Sequence, residues 1–325
     1  MNFRRREFLH GAVAAGVFAV SQQAGAQAYP GRPVHILVGL AAGGPTDVAA
    51  RIIAEWLSQK FGQQFIVENR TGMGGNLANQ ALINSAPDGG TLLFSGPTST
   101  ISASLYKKLP FNFVRDTVPV AAVMRFPNLM VVPTSLPVTN VAEFIAYAKA
   151  HPGELSLASS GAGASPHLTG ELFKFMAKVD LVHVPYRGSA AAYPDLMTGK
   201  VHVLFDNLGG PILELVRGGK LRALGVTTAQ RWPLLPDVPA IAETVPGFQV
   251  DIWYGMYAPR ATPAPIVTAL NAAVNAGLAD AHVKARIAEG GGLPMPMTPA
   301  EFGQFTLDDI EKWRKVVEFA GVSAD

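Results

Sequence analysis

The sequence predicts an α/β fold in two parts, and three observations carry that expectation. Short apolar runs alternate with longer amphipathic ones along the chain, the pattern of a parallel sheet covered by helices. A length of 325 residues suits two domains, on a prior of roughly 100–200 residues each. The last segments are helical and follow the final strand-like run, so they need a sheet formed earlier in the chain. That requires a discontinuous first domain and an inserted second one.

The elements follow in chain order. Val34 to Val38 reads as a buried strand that runs into Gly39-Leu40-Ala41-Ala42-Gly43-Gly44-Pro45-Thr46-Asp47. Val48, Ile52, Ile53, Trp56 and Leu57 then recur at helical spacing, with Gly62 as the stop. Phe65 to Glu68 is a second strand, followed by Gly72-Met73-Gly74-Gly75-Asn76 and a helix through Leu77, Ala81 and Leu82. Thr91 to Phe94 is a third, followed by Ser95-Gly96-Pro97-Thr98-Ser99. The pattern restarts with a strand at Leu129 to Val132 and a helix after Asn140, where Glu143 has the spacing of a capping box. Leu155 to Ala158 leads into a glycine-rich loop from Ser159, with Ser165 as the expected N-cap and Pro166 as the first helical residue. Leu181 to Val184 precedes Pro185-Tyr186-Arg187-Gly188-Ser189 and a helix, and Val201 to Phe205 ends in Asp206-Asn207. Leu221 to Val226 is followed by a proline-rich stretch, and Asp251 to Pro259 alternates like a strand. Only helices are expected after it: Ala264 to Ala279, Ala281 to Glu289 and Pro299 to Ala320.

Composition narrows the function classes. Hydrophobic content of 49% excludes wholesale disorder, and 15% charged residues is low against a usual value of about 25%. The absence of cysteine excludes a disulfide scaffold, a thiol nucleophile and a Cys-ligated metal. The formal charge of +2 arises from Arg4, Arg5 and Arg6 against Glu7. The remainder is balanced and has no basic run, which argues against nucleic-acid binding.

Residues 1–28 read as an export signal: a basic start, an apolar stretch from Gly11 to Val20, and A-x-A endings at Ala26 and Ala28. The apolar stretch spans only about 15 Å as a helix, too short for a bilayer core of roughly 30 Å. Arg5-Arg6-x-Phe8-Leu9 resembles a twin-arginine signal; a Sec signal with an extra arginine is the other reading. The expectation is a soluble periplasmic protein.

Chemistry concentrates in loops of one kind. Segments 39–47, 72–76, 95–99 and 159–166 follow strands, precede helices and are rich in Gly, Ser, Thr and Pro. Ligands of open α/β sheets bind beyond the carboxyl ends of strands. Helix N-termini supply unpaired N–H groups and partial positive charge for an anion without Lys or Arg. Gly39 to Thr46 nearly spells a phosphate loop, but Pro45 holds the lysine position, so nucleotide hydrolysis is excluded. No dinucleotide glycine motif, nucleophile elbow or metal-ligating histidine pair occurs. Neither a cofactor nor a metal is expected. His167 follows Ser165-Pro166 at a helix start and is either a ligand contact or a packing residue. With Ser160 or Ser165 it would suggest a hydrolase. Asp47 and Asp206 read either as caps or as acceptors for a ligand donor, and Arg187 either as a carboxylate clamp or as a surface residue.

The chain resembles the extracytoplasmic solute-binding proteins of the tripartite tricarboxylate transporter family, often called Bug proteins. Its markers are Tyr29 to Val38, Gly43 to Asp47 with Ala50-Arg51, Val67 to Arg70 with Gly74 to Asn76, and Pro87 to Gly89. Ser165 to Leu168 with Gly170 to Phe173, Val184 to Gly188, Asp206-Asn207, Leu235 to Pro239 and Trp253 to Gly255 with Ala258-Pro259 complete the set. The resemblance implies a two-lobed periplasmic-binding-protein fold of type II, each lobe a mixed, mostly parallel sheet flanked by helices. The expected division is domain 1 at 29–125 plus 253–325 and domain 2 at 126–252, with hinge strands near 120–132 and 250–258. It implies a monomer that holds a small carboxylate and delivers it to membrane permease subunits. A ligand-presenting partner of a sensor kinase is the alternative partner. The family commonly has Pro-Phe before the first glycine loop, where this chain has Gly39-Leu40-Ala41-Ala42. The expected ligand-binding residues are Gly44, Thr46, Asp47, Gly75, Asn76, Thr98, Ser160, Gly161, Ala164, Ser165, His167, Arg187 and Asp206.

Overall fold

The structure, a computed structural model, describes residues 29–209 and 211–324. The expected export signal, residues 1–28, lies outside them.

The first part of the chain forms β1 (Val34–Val38), α1 (Pro45–Phe61), β2 (Phe65–Asn69), α2 (Asn76–Ile83), β3 (Thr91–Ser95), α3 (Pro97–Leu105) and α4 (Phe113–Asp116). The strand β4 (Thr117–Pro133) follows, then α5 (Val141–Ala150), β5 (Ser156–Ser159), α6 (Ser165–Ala177), β6 (Val182–Pro185), α7 (Tyr193–Met197), β7 (Val203–Asn207), α8 (Pro211–Arg217) and β8 (Leu221–Val226). The chain ends with β9 (Asp251–Pro259), α9 (Ala264–Ala279), α10 (Ala281–Glu289), β10 (Leu293–Pro294) and α11 (Pro299–Ala320). The strands are joined in the order β2-β1-β3-β9-β4-β7-β5-β6, with β8 and β10 also paired to β4.

Within each half the expected parallel pairing is present: β1 with β2 and β3, and β5 with β6 and β7. Every antiparallel pair involves β4 or β9, so the sheet is mixed. Val34, Ile36, Leu37 and Val38 of β1 are all buried, as expected of a strand covered on both faces. On α1, Ala49, Ile52, Ile53 and Leu57 are buried at helical spacing, and Gly62 ends the helix at φ 67°, a left-handed conformation that favours glycine.

The strand expected at Leu129 to Val132 is the second half of the long β4. Its residues Thr117 to Pro127 pair with β9, and Asn128 to Val131 pair with β7. The change of partner at Pro127/Asn128 is fastened by Thr227. The Thr227 hydroxyl accepts from the Asn128 N–H at 2.8 Å and donates to the Val250 carbonyl at 2.7 Å. The Thr227 N–H donates to the Asn128 carbonyl at 3.0 Å.

The tail packs on the first sheet. Asp309 of α11 accepts from Thr100 of α3 at 2.7 Å and from the indoles of Trp253 on β9 and Trp313 at 3.1 Å each. The Trp56 indole of α1 donates to the Ala273 carbonyl of α9 at 2.8 Å. The tail is not purely helical as expected: Leu293 and Pro294 pair with Arg125 and Met124. Ser165 is not the N-cap of α6; Ala164 is, and Ser165 is the first helical residue.

Candidate functional site

A cleft of about 700 Å³ lies at the carboxyl ends of the strands. One wall is the start of α1, with Gly43, Pro45 and Val48, and the end of α10, with Arg286 and Glu289. The other wall is Ser160, Pro166, Ser189, Tyr193 and Asp206 to Leu208. Met124 and Phe126 of β4 and Tyr254 of β9 form the floor.

The two walls are built by one local device. In the first loop, Gly44 N–H closes a turn on the Ala41 carbonyl at 3.3 Å, and Gly43 takes φ 78°. In the other, Ala164 N–H closes on the Gly161 carbonyl at 3.2 Å, and Gly163 takes φ 73°. Gly44 and Ala164 are the N-caps, and neither helix has a side-chain cap. A side chain at the third helical position instead reaches back past the cap: Asp47 accepts the Gly43 N–H at 2.9 Å, and His167 accepts the Gly163 N–H at 3.0 Å. Asn112, Asn140, Asp280 and Thr298 cap their helices with side chains, whereas α2, α3, α7 and α9 lack a side-chain cap as α1 and α6 do. First-turn N–H groups have no intrahelical partner. At α1 and α6 they stay free of side-chain caps beside the cleft.

Asp47 is buried, and Arg51 binds it through two nitrogens at 2.9 and 3.0 Å while Asn69 donates to it at 3.0 Å. The Arg51 guanidinium, with help from Gly43 and Asn69, holds the Asp47 carboxyl down at about 2. Behind the second loop, the His167 and His183 rings stack at 3.6 Å between centroids. Ser159 shares a 2.7 Å hydrogen bond with His183, and burial brings the His183 pKa down to about 4. Both residues are therefore supports for their loops.

The structure thus sorts the expected site residues. Ser160 and Asp206 line the cleft; Gly44 and Thr46 flank its lining residue Pro45, and Ala164 and Ser165 precede Pro166. The Ser165 hydroxyl is buried with no partner. Asp47 accepts from Gly43, Arg51 and Asn69, and His167 Nδ1 accepts from Gly163, the capping and packing side of their two readings. Gly75 and Asn76 lie outside the lining: Gly75 packs so closely on Gly39 that a Cβ there would come within 2.7 Å of its Cα. Asn76 donates to the Ser102 hydroxyl at 3.2 Å. Thr98 on α3 and Gly161, whose φ is 137°, are also outside the lining, and Arg187 is exposed. The hydrolase arrangement is absent among the described residues. No hydrogen bond joins Ser160 or Ser165 to His167, and the serine that meets a histidine, Ser159, is fully buried.

Sequence reasoning missed Tyr254, Ser189, Tyr193 and Arg286. Burial pushes the Tyr254 phenol pKa up to about 12. Ser189 and Tyr193 donate to Asp206 at 2.7 and 2.6 Å. Ser189 was within reach, because it closes the Pro185 to Ser189 loop. Among the described residues, Arg286 is the one cation in the lining, and it is ion-paired with Glu55.

Residues 49–322 match the model of the tripartite tricarboxylate transporter family receptor. Rpa4515 of R. palustris, solved with adipate, superposes with a TM-score of 0.80 at 39% identity, covering 91% of this chain and 99% of that one. MatC from Rhodopseudomonas palustris, with bound malate, gives 0.76 at 35% identity over 89% of this chain and 100% of its own. The periplasmic binding protein BugD gives 0.77 at 33% identity over 91% and 100%.

Proposed function

The chain belongs to the tripartite tricarboxylate transporter family of solute-binding receptors, and from that premise we propose that its cleft holds a carboxylate between the first turns of α1 and α6. The observation that carries this is the pair of helix N-termini without side-chain caps on opposite walls of one cleft. Backbone N–H groups and the positive ends of two helix dipoles supply the anion site. The unpartnered Ser165 hydroxyl adds a donor beside it. Binding of adipate by Rpa4515 and of malate by MatC supports the ligand class.

A ligand that touches both walls favours the closed arrangement, because only a difference in affinity between states drives closure. The hinge in this reading is the crossing at Asn128, Thr227 and Val250, between a first lobe of 29–125 plus 253–325 and a second of 126–252. Residues 1–28 direct export, and the protein acts in the periplasm as a monomer that hands its ligand to membrane permease subunits. It binds without catalysing. No helix among the described residues is long and apolar enough to cross a membrane.

Native mass spectrometry of the purified protein and a thermal-shift panel of organic acids test the reading. A binder at 100 times its Kd stabilises by about 2.7 kcal/mol. A panel in which no carboxylate raises the melting temperature overturns it.

A further inference from the structure

The two lobes also touch outside the crossing strands, in two places that differ in kind. In one the contact is made by main chain. The Leu208 N–H donates to the Pro127 carbonyl at 3.0 Å, which ties this segment to the crossing itself. The buried Trp232 indole donates to the Gly291 carbonyl at 3.0 Å. A Cβ on Gly209 would come within 2.8 Å of the Gly290 carbonyl oxygen, and one on Gly291 within 2.9 Å of the Leu208 carbonyl oxygen. Parting the lobes here would leave buried polar groups without partners, which is costly.

In the other place the contact is made by apolar side chains. α11 buries Phe302, Trp313, Val316 and Val317, and its last turn reaches α6. There Phe319 meets Phe175 with ring centroids 4.5 Å apart, both rings being about half exposed. The chain beyond α11 turns back to α3, where the Ala324 N–H donates to the Leu105 carbonyl at 3.1 Å. The Leu105 side chain packs against Gly163, so closely that a Cβ on Gly163 would come within 2.5 Å of Leu105 Cδ2. Gly163 belongs to the turn before α6, and its N–H is the one His167 accepts. The charged groups of each helix pair within it: Lys174 with Glu171 on α6, and Arg314 with Glu311 and Glu318 on α11. Among the described residues no hydrogen bond or ion pair joins α6 to α11. These surfaces separate without orphaning a polar group. A rotation that parts the cleft walls therefore turns on the main-chain contact and lifts α6 off α11 and α3.

We propose that the end of α11 is a latch between the lobes: the Phe319–Phe175 stack and the seating of Gly163 on Leu105 hold the α6 wall against the first lobe, and opening the cleft breaks both. This rests on the lobe division and the anion site at α6 given above. Phe319 is then a positioning residue for ligand binding that never meets the ligand. Its loss lowers the population of the binding-competent arrangement, and apparent affinity falls in proportion.

The chain has no cysteine, so two introduced cysteines take spin labels cleanly. One pair, Asp180→Cys with Lys315→Cys, reports across the latch; the other, Ala229→Cys with Lys284→Cys, reports across the main-chain contact. All four positions are exposed. Distances are measured by electron paramagnetic resonance in the ligand-free protein, with Phe319 intact, as Phe319→Ala and as Phe319→Tyr. The expected result is that Phe319→Ala moves the latch pair to longer distances and leaves the other pair in place, while Phe319→Tyr behaves as wild type. Calorimetry with the tightest-binding acid of the thermal-shift panel should show affinity about three-fold or more weaker in Phe319→Ala, the scale of one aromatic pair, and restored in Phe319→Tyr. A latch pair unmoved by Phe319→Ala overturns the proposal, as does equal lengthening of both pairs, which is general loosening. An opened latch with affinity changed by less than about three-fold overturns the coupling to binding. A panel in which no carboxylate binds removes the carboxylate reading and leaves the latch to be decided by the distances.

Discussion

Replacing Ala164 with Asp separates the stability of the free protein from its affinity. Ala164 is the N-cap of α6, with φ −70° and ψ 158°, a conformation that Asp adopts without strain at this position. Pro166 at the second helical position has no N–H. The new carboxylate would therefore accept from the His167 N–H at the third. Such a cap stabilises a helix by about 1 kcal/mol relative to Ala, which raises the melting temperature of a protein this size by about 2 °C. The ligand carboxylate proposed for the same N–H groups would then sit about 5 Å from a fixed negative charge. At an effective dielectric constant of about 20 the repulsion is about 3 kcal/mol, or about a hundred-fold in Kd.

Thermal unfolding of the ligand-free variant and calorimetric titration with a carboxylate that binds the wild type measure the two effects. The expected outcome is a melting temperature that rises and an affinity that falls by about two orders of magnitude. A variant whose free form is stabilised but whose affinity falls by less than about ten-fold would refute the placement of the anion at α6. Simple misfolding would lower both quantities and is recognised by the melting curve.

Three further outcomes follow from residues around the cleft. Asp47→Asn removes the charged partner of Arg51 and should cost about 2 kcal/mol. Because the folded pKa of Asp47 is about 2, below the ordinary value of about 3.9, that stability is present above pH 4 and lost as pH falls toward 2. Acid titration of unfolding should show this loss in the wild type and not in the variant. His183 has the opposite chemistry and the same sign: its folded pKa of about 4 lies below an ordinary value near 6.5. Stability should therefore decline as pH falls from about 6.5 through 4, by about 1 kcal/mol once its partial exposure to solvent is allowed for. His183→Phe should flatten that part of the pH profile in a denaturant titration. Thr227→Val keeps the side-chain shape but leaves the Asn128 N–H and the Val250 carbonyl without their partner. The midpoint in urea should drop by the equivalent of about 2–4 kcal/mol, since each buried unpaired group costs about 1–2, with the slope unchanged.

Much of the fold was legible because local and tertiary signals agree. The three C-terminal helices have the expected bounds. Their apolar periodicity is punctuated by Asp280, by Thr298 with Glu301, and by Gly321, each of which caps as its type predicts. The length of β4 was only partly legible: the expectations were a strand at Leu129 to Val132 and a hinge strand near 120–132, and Pro119 and Pro127 are residues that ordinarily interrupt a strand. Pro119 is tolerated at a register shift, and Pro127 falls where the strand changes sheets, so its missing N–H coincides with a change of partners. The two-residue β10 carries no periodicity at all. In the site, Ser160 and Asp206 were legible as polar residues at strand ends. Tyr193, Tyr254 and Phe126 were not, because each belongs to a different element and only the assembled fold brings them to one cleft.

Asp47 and His167 each carried two readings in the sequence, and the way they sit says how the loops work. A residue at the third helical position that follows a glycine-rich turn looks like a ligand contact in a sequence. In both walls it turns inward and accepts the N–H of the glycine four residues earlier. That bond fixes the positive-φ glycine and leaves the cap position to a residue too small to bind its own helix, Gly44 in one loop and Ala164 in the other. An ordinary Ser, Asp or Asn cap would consume the donors that an anion needs. With the acceptor one helical turn away, the loop is held while no side chain caps the first-turn N–H groups, the donors that the proposed function assigns to the ligand. Asp47 does this as a carboxylate paired with Arg51, and His167 does it while stacked on His183. On the proposed reading, an anion held by these two turns needs no clamp of arginines.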